Sequence, residues 1–157
     1  MTELEFKALA AAGYNRIPLL LECFADLDTP LSLYLKLTEP GQRAMSFLLE
    51  SVVGGERFGR YSFIGLPARN FIRAVGPQGR QIEVVTNGKV VETQDADPLE
   101  FVREFLARFK PALRPGLPRF FGGLAGYFAY DVVRNIEKRL ANTFKPDQLG
   151  TRDMLFA

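Results

Sequence analysis

Glu50 and Ser51 end an apolar run that begins at Leu48, and Arg57 and Arg60 follow across a Gly54-Gly55 turn. A second alternating run, Tyr61-Ser62-Phe63-Ile64-Gly65, comes next. The pattern predicts strand, polar loop, strand, with a carboxylate, a hydroxyl and two guanidinium groups gathered at one rim. Such a set can hold a small zwitterion: the carboxylate meets its ammonium, and Arg and Ser meet its carboxylate. The same groups also suit a solvated hairpin end, which does no chemistry.

Other chemistries find less support. The chain has 157 residues, one cysteine and no histidine, so the commonest base and the commonest metal ligand are both missing. Cys23 lies in an apolar run and reads as a buried neutral thiol. One cysteine makes no disulfide within a chain, which fits a reducing compartment. The run Phe120 to Tyr130 is rich in glycine and aromatics. It lacks the order strand, G-x-G-x-x-G, helix that dinucleotide binding requires, and the Gly-Lys-Ser/Thr ending of a phosphate loop. Glycines inside a strand mark a bulge or the close approach of another backbone.

Charge and hydropathy narrow the class further. Twenty Lys and Arg face 18 Asp and Glu, a net charge of +2, which argues against a nucleic-acid footprint. Arg103, Arg108, Lys110, Arg114 and Arg119 cluster, but prolines interrupt them, and they read as a solvated helix face and loop. An apolar fraction of 47 % with 14 Phe is ample for a packed core. No apolar stretch reaches the roughly 20 residues needed to span a bilayer. The start, Met1-Thr2-Glu3-Leu4-Glu5, is unlike a signal peptide. A soluble cytoplasmic protein without membrane contact is expected.

The elements that must position these residues follow from local chemistry. Thr2-x-x-Glu5 is a capping box for a short helix ending before Gly13. Arg16 to Phe24 is an apolar run of strand length, with Pro18 at an edge or strand start. Thr29-Pro30 begins a helix through about Lys36, although its alternating leucines also permit a strand. Ser46 to Val53 reads as a strand. Arg60 to Ile64, Asn70 to Val75, Gln81 to Val85 and Val90 to Thr93 read as short strands, with an Asn87-Gly88 hairpin turn between the last two. Asp97 caps a helix with Pro98 at its first position and Leu99, Val102, Phe105, Leu106 and Phe109 on its apolar face. Asp131 reads as the N-cap of a further helix through about Arg139. Asp153 to Ala157 is an apolar run that looks like a strand just starting. The order predicts one α+β domain, mostly antiparallel sheet with hairpins and a few flanking helices.

Two segments carry a family resemblance. Leu48-Leu49-Glu50-Ser51 followed by Arg60-Tyr61-Ser62-Phe63-Ile64-Gly65 resembles the N-terminal segment of anthranilate synthase component I. Phe121-Gly122-Gly123-Leu124-Ala125-Gly126 through Tyr130-Asp131 resembles the Gly-Gly-x-x-Gly-x-x-x-Tyr-Asp segment of the same family. The likeness runs from Tyr14-Asn15-Arg16-Ile17-Pro18 through Leu149-Gly150-Thr151. Aminodeoxychorismate synthase component I is similar but less close, and a stand-alone amino-acid-binding module is a reading of another class.

The resemblance implies that residues 1–157 form the N-terminal domain of a chain roughly three times as long, cut before its chorismate-binding domain. The enzymes of this family convert chorismate and ammonia to anthranilate and pyruvate, with a glutamine amidotransferase partner supplying the ammonia. No catalytic residue carries over, and the Mg²⁺ of the family belongs to the domain that this chain does not match. What carries over is part of a regulatory tryptophan site. Ser51 would hydrogen-bond the amino acid, Glu50 would approach its ammonium, and Arg60 and Tyr61 would wall the indole. Phe58 and Gly59 would add backbone contacts. The Phe120–Tyr130 face and an open edge at the last strand are expected to favour self-association.

Overall fold

Asn87 and Gly88 take φ of 51° and 77°, the left-handed pair that a tight antiparallel turn needs. They join two of seven strands in a computed structural model that describes residues 1–41, 44–51, 61–76, 79–143 and 153–157. The strands are β1 (Phe47–Leu49), β2 (Phe63–Gly65), β3 (Asn70–Val75), β4 (Gln81–Thr86), β5 (Lys89–Asp95), β6 (Gly126–Phe128) and β7 (Met154–Phe156). Every pairing is antiparallel. β1 and β2 form a two-stranded sheet, and the rest form a five-stranded sheet in the order β5-β4-β3-β7-β6. With α1 (Glu3–Ala11), α2 (Pro30–Leu37), α3 (Pro98–Ala107) and the short α4 (Val133–Ile136), the fold is the expected α+β arrangement.

The helix starts follow their capping chemistry. Thr2 accepts from the Glu5 backbone N–H while Glu5 accepts from that of Thr2, and Thr29 and Ser32 exchange the same two bonds. Asp97 accepts from the backbone of Leu99 and Glu100 at 2.9 and 3.1 Å, with Pro98 just inside α3. α2 closes on Thr38, fully buried, whose hydroxyl donates to the Tyr34 carbonyl at 2.6 Å.

The core lies where α3 covers one face of the large sheet. Ile72 and Ala74 of β3, Ile82 and Val84 of β4, Phe101 and Met154 form it, with Val102, Phe105, Leu124 and Phe156 against its rim. Residues two apart on paired strands share that face, as the pleat requires. Phe101 is 1 % exposed, whereas Leu106 is 42 % exposed. Of the expected apolar face of α3, Val102 and Phe105 do pack against the core, but its centre is Phe101, and Leu106 lies outside it.

Several expectations are corrected. Arg16 to Phe24 forms no strand: only Arg16 makes a bridge, parallel, to Pro111. Leu21 and Phe24 are 87 and 98 % exposed. An uninterrupted apolar run has no alternation to assign it to a sheet, and Pro18 offers no ladder donor. Cys23 is accordingly exposed, not buried. β1 spans three residues, shorter than Ser46 to Val53, of which Val52 and Val53 lie outside the described residues. Asp131 caps nothing; a 3₁₀ turn over Tyr130–Val132 starts at Ala129, and Asp131 accepts from the Arg134 guanidinium at 2.9 Å. The last strand is not an edge. β7 sits between β3 and β6, and the outer strands are β6 and β5.

One glycine of the Phe120–Tyr130 run, Gly126, does mark a close approach. A Cβ on Gly126 would fall on the Leu155 carbonyl oxygen across the β6–β7 ladder. Two predictions test this packing by urea unfolding. Phe101→Ala lowers stability by about 3–5 kcal/mol, the usual cost of emptying an aromatic core position. Gly126→Ala lowers it by about 1–3 kcal/mol through overpacking. A midpoint unchanged by either substitution contradicts the corresponding contact.

Candidate functional site

β1 and β2 pair with Leu48 opposite Ile64 and Leu49 opposite Phe63. Glu50 and Ser51 leave β1 at the same end at which Tyr61 and Ser62 enter β2, so the hairpin brings Glu50, Ser51 and Tyr61 to one rim. Glu50 and Ser51 are exposed, and Tyr61 is half-exposed. Arg57, Phe58, Gly59 and Arg60, the remaining residues singled out in the sequence, lie outside the described residues.

The small sheet is held from two sides. The Tyr34 hydroxyl of α2 and the Ser46 hydroxyl before β1 lie 2.8 Å apart. On the other side the Tyr61 and Phe63 rings have centroids 6.2 Å apart, and Phe63 meets Phe120 edge-to-face at 5.3 Å. Phe47 lies over Gly65, its partner across the pair, where a side chain on Gly65 would collide with the ring. Chemically, the rim offers one carboxylate, hydroxyls and a phenol ring. This set can bind a polar small molecule, and it includes no base–nucleophile pair. Among the described residues no cluster of His, Cys, Asp or Glu could hold a metal ion. No helix there is long and apolar enough to cross a membrane.

A second feature escaped sequence reasoning. A cavity of about 640 Å³ opens beside the core, lined by Ile72, Phe105, Phe109, Phe121, Leu124 and Arg16 among others. Glu50, Ser51 and Tyr61 do not line it. Six separate stretches of chain build its wall, so no local motif announces it.

The cavity's flank is fixed by polar contacts at the end of α3. The Asn15 side chain donates to the Arg108 carbonyl at 2.8 Å and accepts from the Lys110 backbone N–H at 2.6 Å. Arg108 in turn grips Glu92 of β5 with two parallel bonds of 2.6 and 2.7 Å, and its guanidinium lies over the Phe105 ring. The basic cluster from Arg103 onward is thus partly neutralised, since Arg103 also pairs with Glu100. The Arg108 hydrogen bond holds the Glu92 carboxyl below its ordinary value of 4.5, and Glu92 raises that of Arg108.

Comparison with known proteins places this geometry in context. No protein-family model matches the chain. It is 56 % identical over 154 residues to the anthranilate synthase component 1 of Neisseria meningitidis serogroup B, covering 96 % of this chain and 30 % of that protein. The Pseudomonas aeruginosa protein of the same name is 54 % identical over 156 residues, 99 % of this chain and 30 % of the relative. That of Aquifex aeolicus is 44 % identical over 142 residues, 90 % and 27 % of the two chains. The chain therefore spans about a third of the length of the relatives it matches, and the match is to their N-terminal segment. The sequence resemblance to anthranilate synthase component I is borne out over nearly the whole chain.

The Glu92–Arg108 pair yields a prediction with a definite sign. A carboxyl whose folded pKa is depressed stabilises the fold above its unfolded value and loses that contribution as pH falls through the folded pKa. Glu92→Gln should lower the thermal midpoint at pH 7 and flatten its fall below about pH 4.5. Parallel acid limbs in the two proteins, measured by thermal unfolding from pH 7 downward, contradict the assignment.

Proposed function

We propose that this chain is the N-terminal regulatory segment of an anthranilate synthase component 1 and supplies one side of a feedback tryptophan site. One observation carries the reading: identity of 54–56 % to proteins of that name over 96–99 % of the chain. In the whole protein so proposed, a cytoplasmic lyase, chorismate and ammonia give anthranilate, pyruvate and water. The word "component" in the relatives' name supports a second subunit, for which we propose a glutamine amidotransferase that delivers the ammonia. We assign no catalytic group and no Mg²⁺ ligand to residues 1–157.

The rim chemistry fits an amino acid. The Glu50 carboxylate suits the ammonium of tryptophan, and the Ser51 hydroxyl can donate to its carboxylate. The Tyr61 ring, extended by Phe63 and Phe120, gives an aromatic surface for the indole. Arg60, Phe58 and Gly59 complete this side of the pocket in our reading. Control follows if tryptophan binds more tightly to a form of the enzyme that is less competent in catalysis, and a coupling of about 1–3 kcal/mol changes affinity from several-fold to a hundredfold.

Two measurements test the proposal. Calorimetric titration of the 157-residue chain should show binding of L-tryptophan in preference to L-phenylalanine. In the longer protein, Ser51→Phe should raise the inhibitory concentration of tryptophan by about tenfold or more, the loss of one charge-assisted hydrogen bond and of room for the ligand. Unchanged inhibition overturns the assignment of Ser51.

A further inference from the structure

We propose that the cavity beside α3 is a second binding site, for a small aromatic monocarboxylate, independent of the Glu50–Ser51 rim. Its volume of about 640 Å³ falls within the roughly 300–1,000 Å³ of small-molecule sites. Phe105 and Phe109 of α3 and its C-terminal extension form one wall, and Phe121 and Leu124 form another. The open end of the β3–β4 face forms the third, where the core residues Ile72 and Val84 give way to Asn70 and Thr86. These two residues face each other across the ladder, on the same side as Ile72 and Val84. Neither side chain has a hydrogen-bond partner among the described residues.

The side-chain charge at this cavity is positive, and Ala157, whose backbone bonds that of Ala125, also lines it. Arg16 lines it, and no acidic side chain does. The Arg16 backbone is pinned on both sides. Its N–H points to the Lys110 carbonyl at 3.4 Å, and its carbonyl accepts from Ala112 at 2.8 Å. Its guanidinium sits 4.2 Å from the centre of the Phe109 ring and donates once, to the Asn15 carbonyl. Arg73, Arg80, Arg103, Arg108 and Arg134 each have a carboxylate within 3.2 Å, whereas Arg16 has no ion-pair partner among the described residues. A guanidinium held against an aromatic ring, with donors left over, is a carboxylate receptor.

The occupant follows from wall and charge together. The rings of Phe105, Phe109 and Phe121 favour an aromatic body, and one guanidinium with Asn70 and Thr86 favours a single carboxylate over a phosphate, which calls for more positive charge. Gly122 and Gly123, at φ of 149° and 145°, leave one wall without side chains, and a Cβ on Gly122 would meet nothing within 4 Å. A ring can therefore approach the backbone there.

The test uses 3-phenylpropionate as probe against the full 157-residue chain, with phenethylamine and propionate as comparators. We expect saturable amide shifts at Gly122, Gly123 and Ala112 with a Kd at or below about 1 mM, and at least tenfold weaker binding of both comparators. Arg16→Gln should weaken the probe about tenfold, and Arg16→Lys should restore part of the loss. Asn70→Asp, at an exposed position where folding is not at stake, should weaken the carboxylate and favour the amine. Ser51→Ala should leave the titration unchanged, which separates this site from the tryptophan rim. No saturable shift, equal binding of the amine, or indifference to both Arg16→Gln and Asn70→Asp overturns the proposal.

Discussion

The pairing of Met154 with Ala74 is the contact on which the large sheet depends. Both residues are wholly buried, and they face each other in the β3–β7 register although roughly 80 positions separate them in sequence. β7 then carries β6 on its other side, through Gly126 opposite Phe156 and Phe128 opposite Met154. The ladder extends beyond both strand ends, where Ala125 and Ala157 exchange two bonds of 2.9 Å and Ala129 donates to Asp153 at 2.7 Å. Without β7, β6 and its glycine-rich approach have no place in the sheet. Such a closure costs chain entropy before it gains burial, and the core on α3 is what offsets it.

Local chemistry was legible in the sequence, and long-range pairing was not. The Thr2–Glu5 capping box, the Thr29-Pro30 and Asp97-Pro98 helix starts and the Asn87-Gly88 turn are each written within four residues, and each forms as read. The face of α3 was read in part: Val102 and Phe105 meet the core as expected, but Phe101 at its centre is chosen by the sheet beneath it, and helix periodicity alone does not contain that choice. Arg16 to Phe24 looked like a strand because apolar content was all it offered; a strand also needs a neighbour, and it has only the bridge at Arg16. β7 was recognised as a strand, yet its central position depends on β3, far away in the chain.

The candidate site divides in the same way. Glu50, Ser51 and Tyr61 flank one hairpin, so sequence proximity and residue type sufficed to bring them to one rim. The cavity needed the tertiary fold. Arg16 reaches it because Asn15 fastens to the end of α3, more than 90 residues later, and Asn70 reaches it because Thr86 lies opposite. Arg16 as a sequence position belonged only to an apolar run within the stretch that resembles the family; its place over Phe109 is a property of the folded chain.

Among the described residues the two sheets share no ladder; the short link over residues 66–69 and side-chain contacts join them. Phe63 against Phe120 is the described ring contact that joins them. Phe120 begins the segment that lines the cavity at Phe121, Gly122 and Gly123 and then enters β6. A molecule bound against Tyr61 is therefore two aromatic contacts from the segment that leads into β6, one outer strand of the large sheet. Contiguity of this kind is a path, and a path alone is not coupling. Coupling requires that Phe120 have two arrangements and that the ligand bind one of them more tightly. The glycine pair after Phe120 provides the backbone freedom for a second arrangement, and the Phe63 ring provides the surface through which a ligand at the rim would favour one over the other.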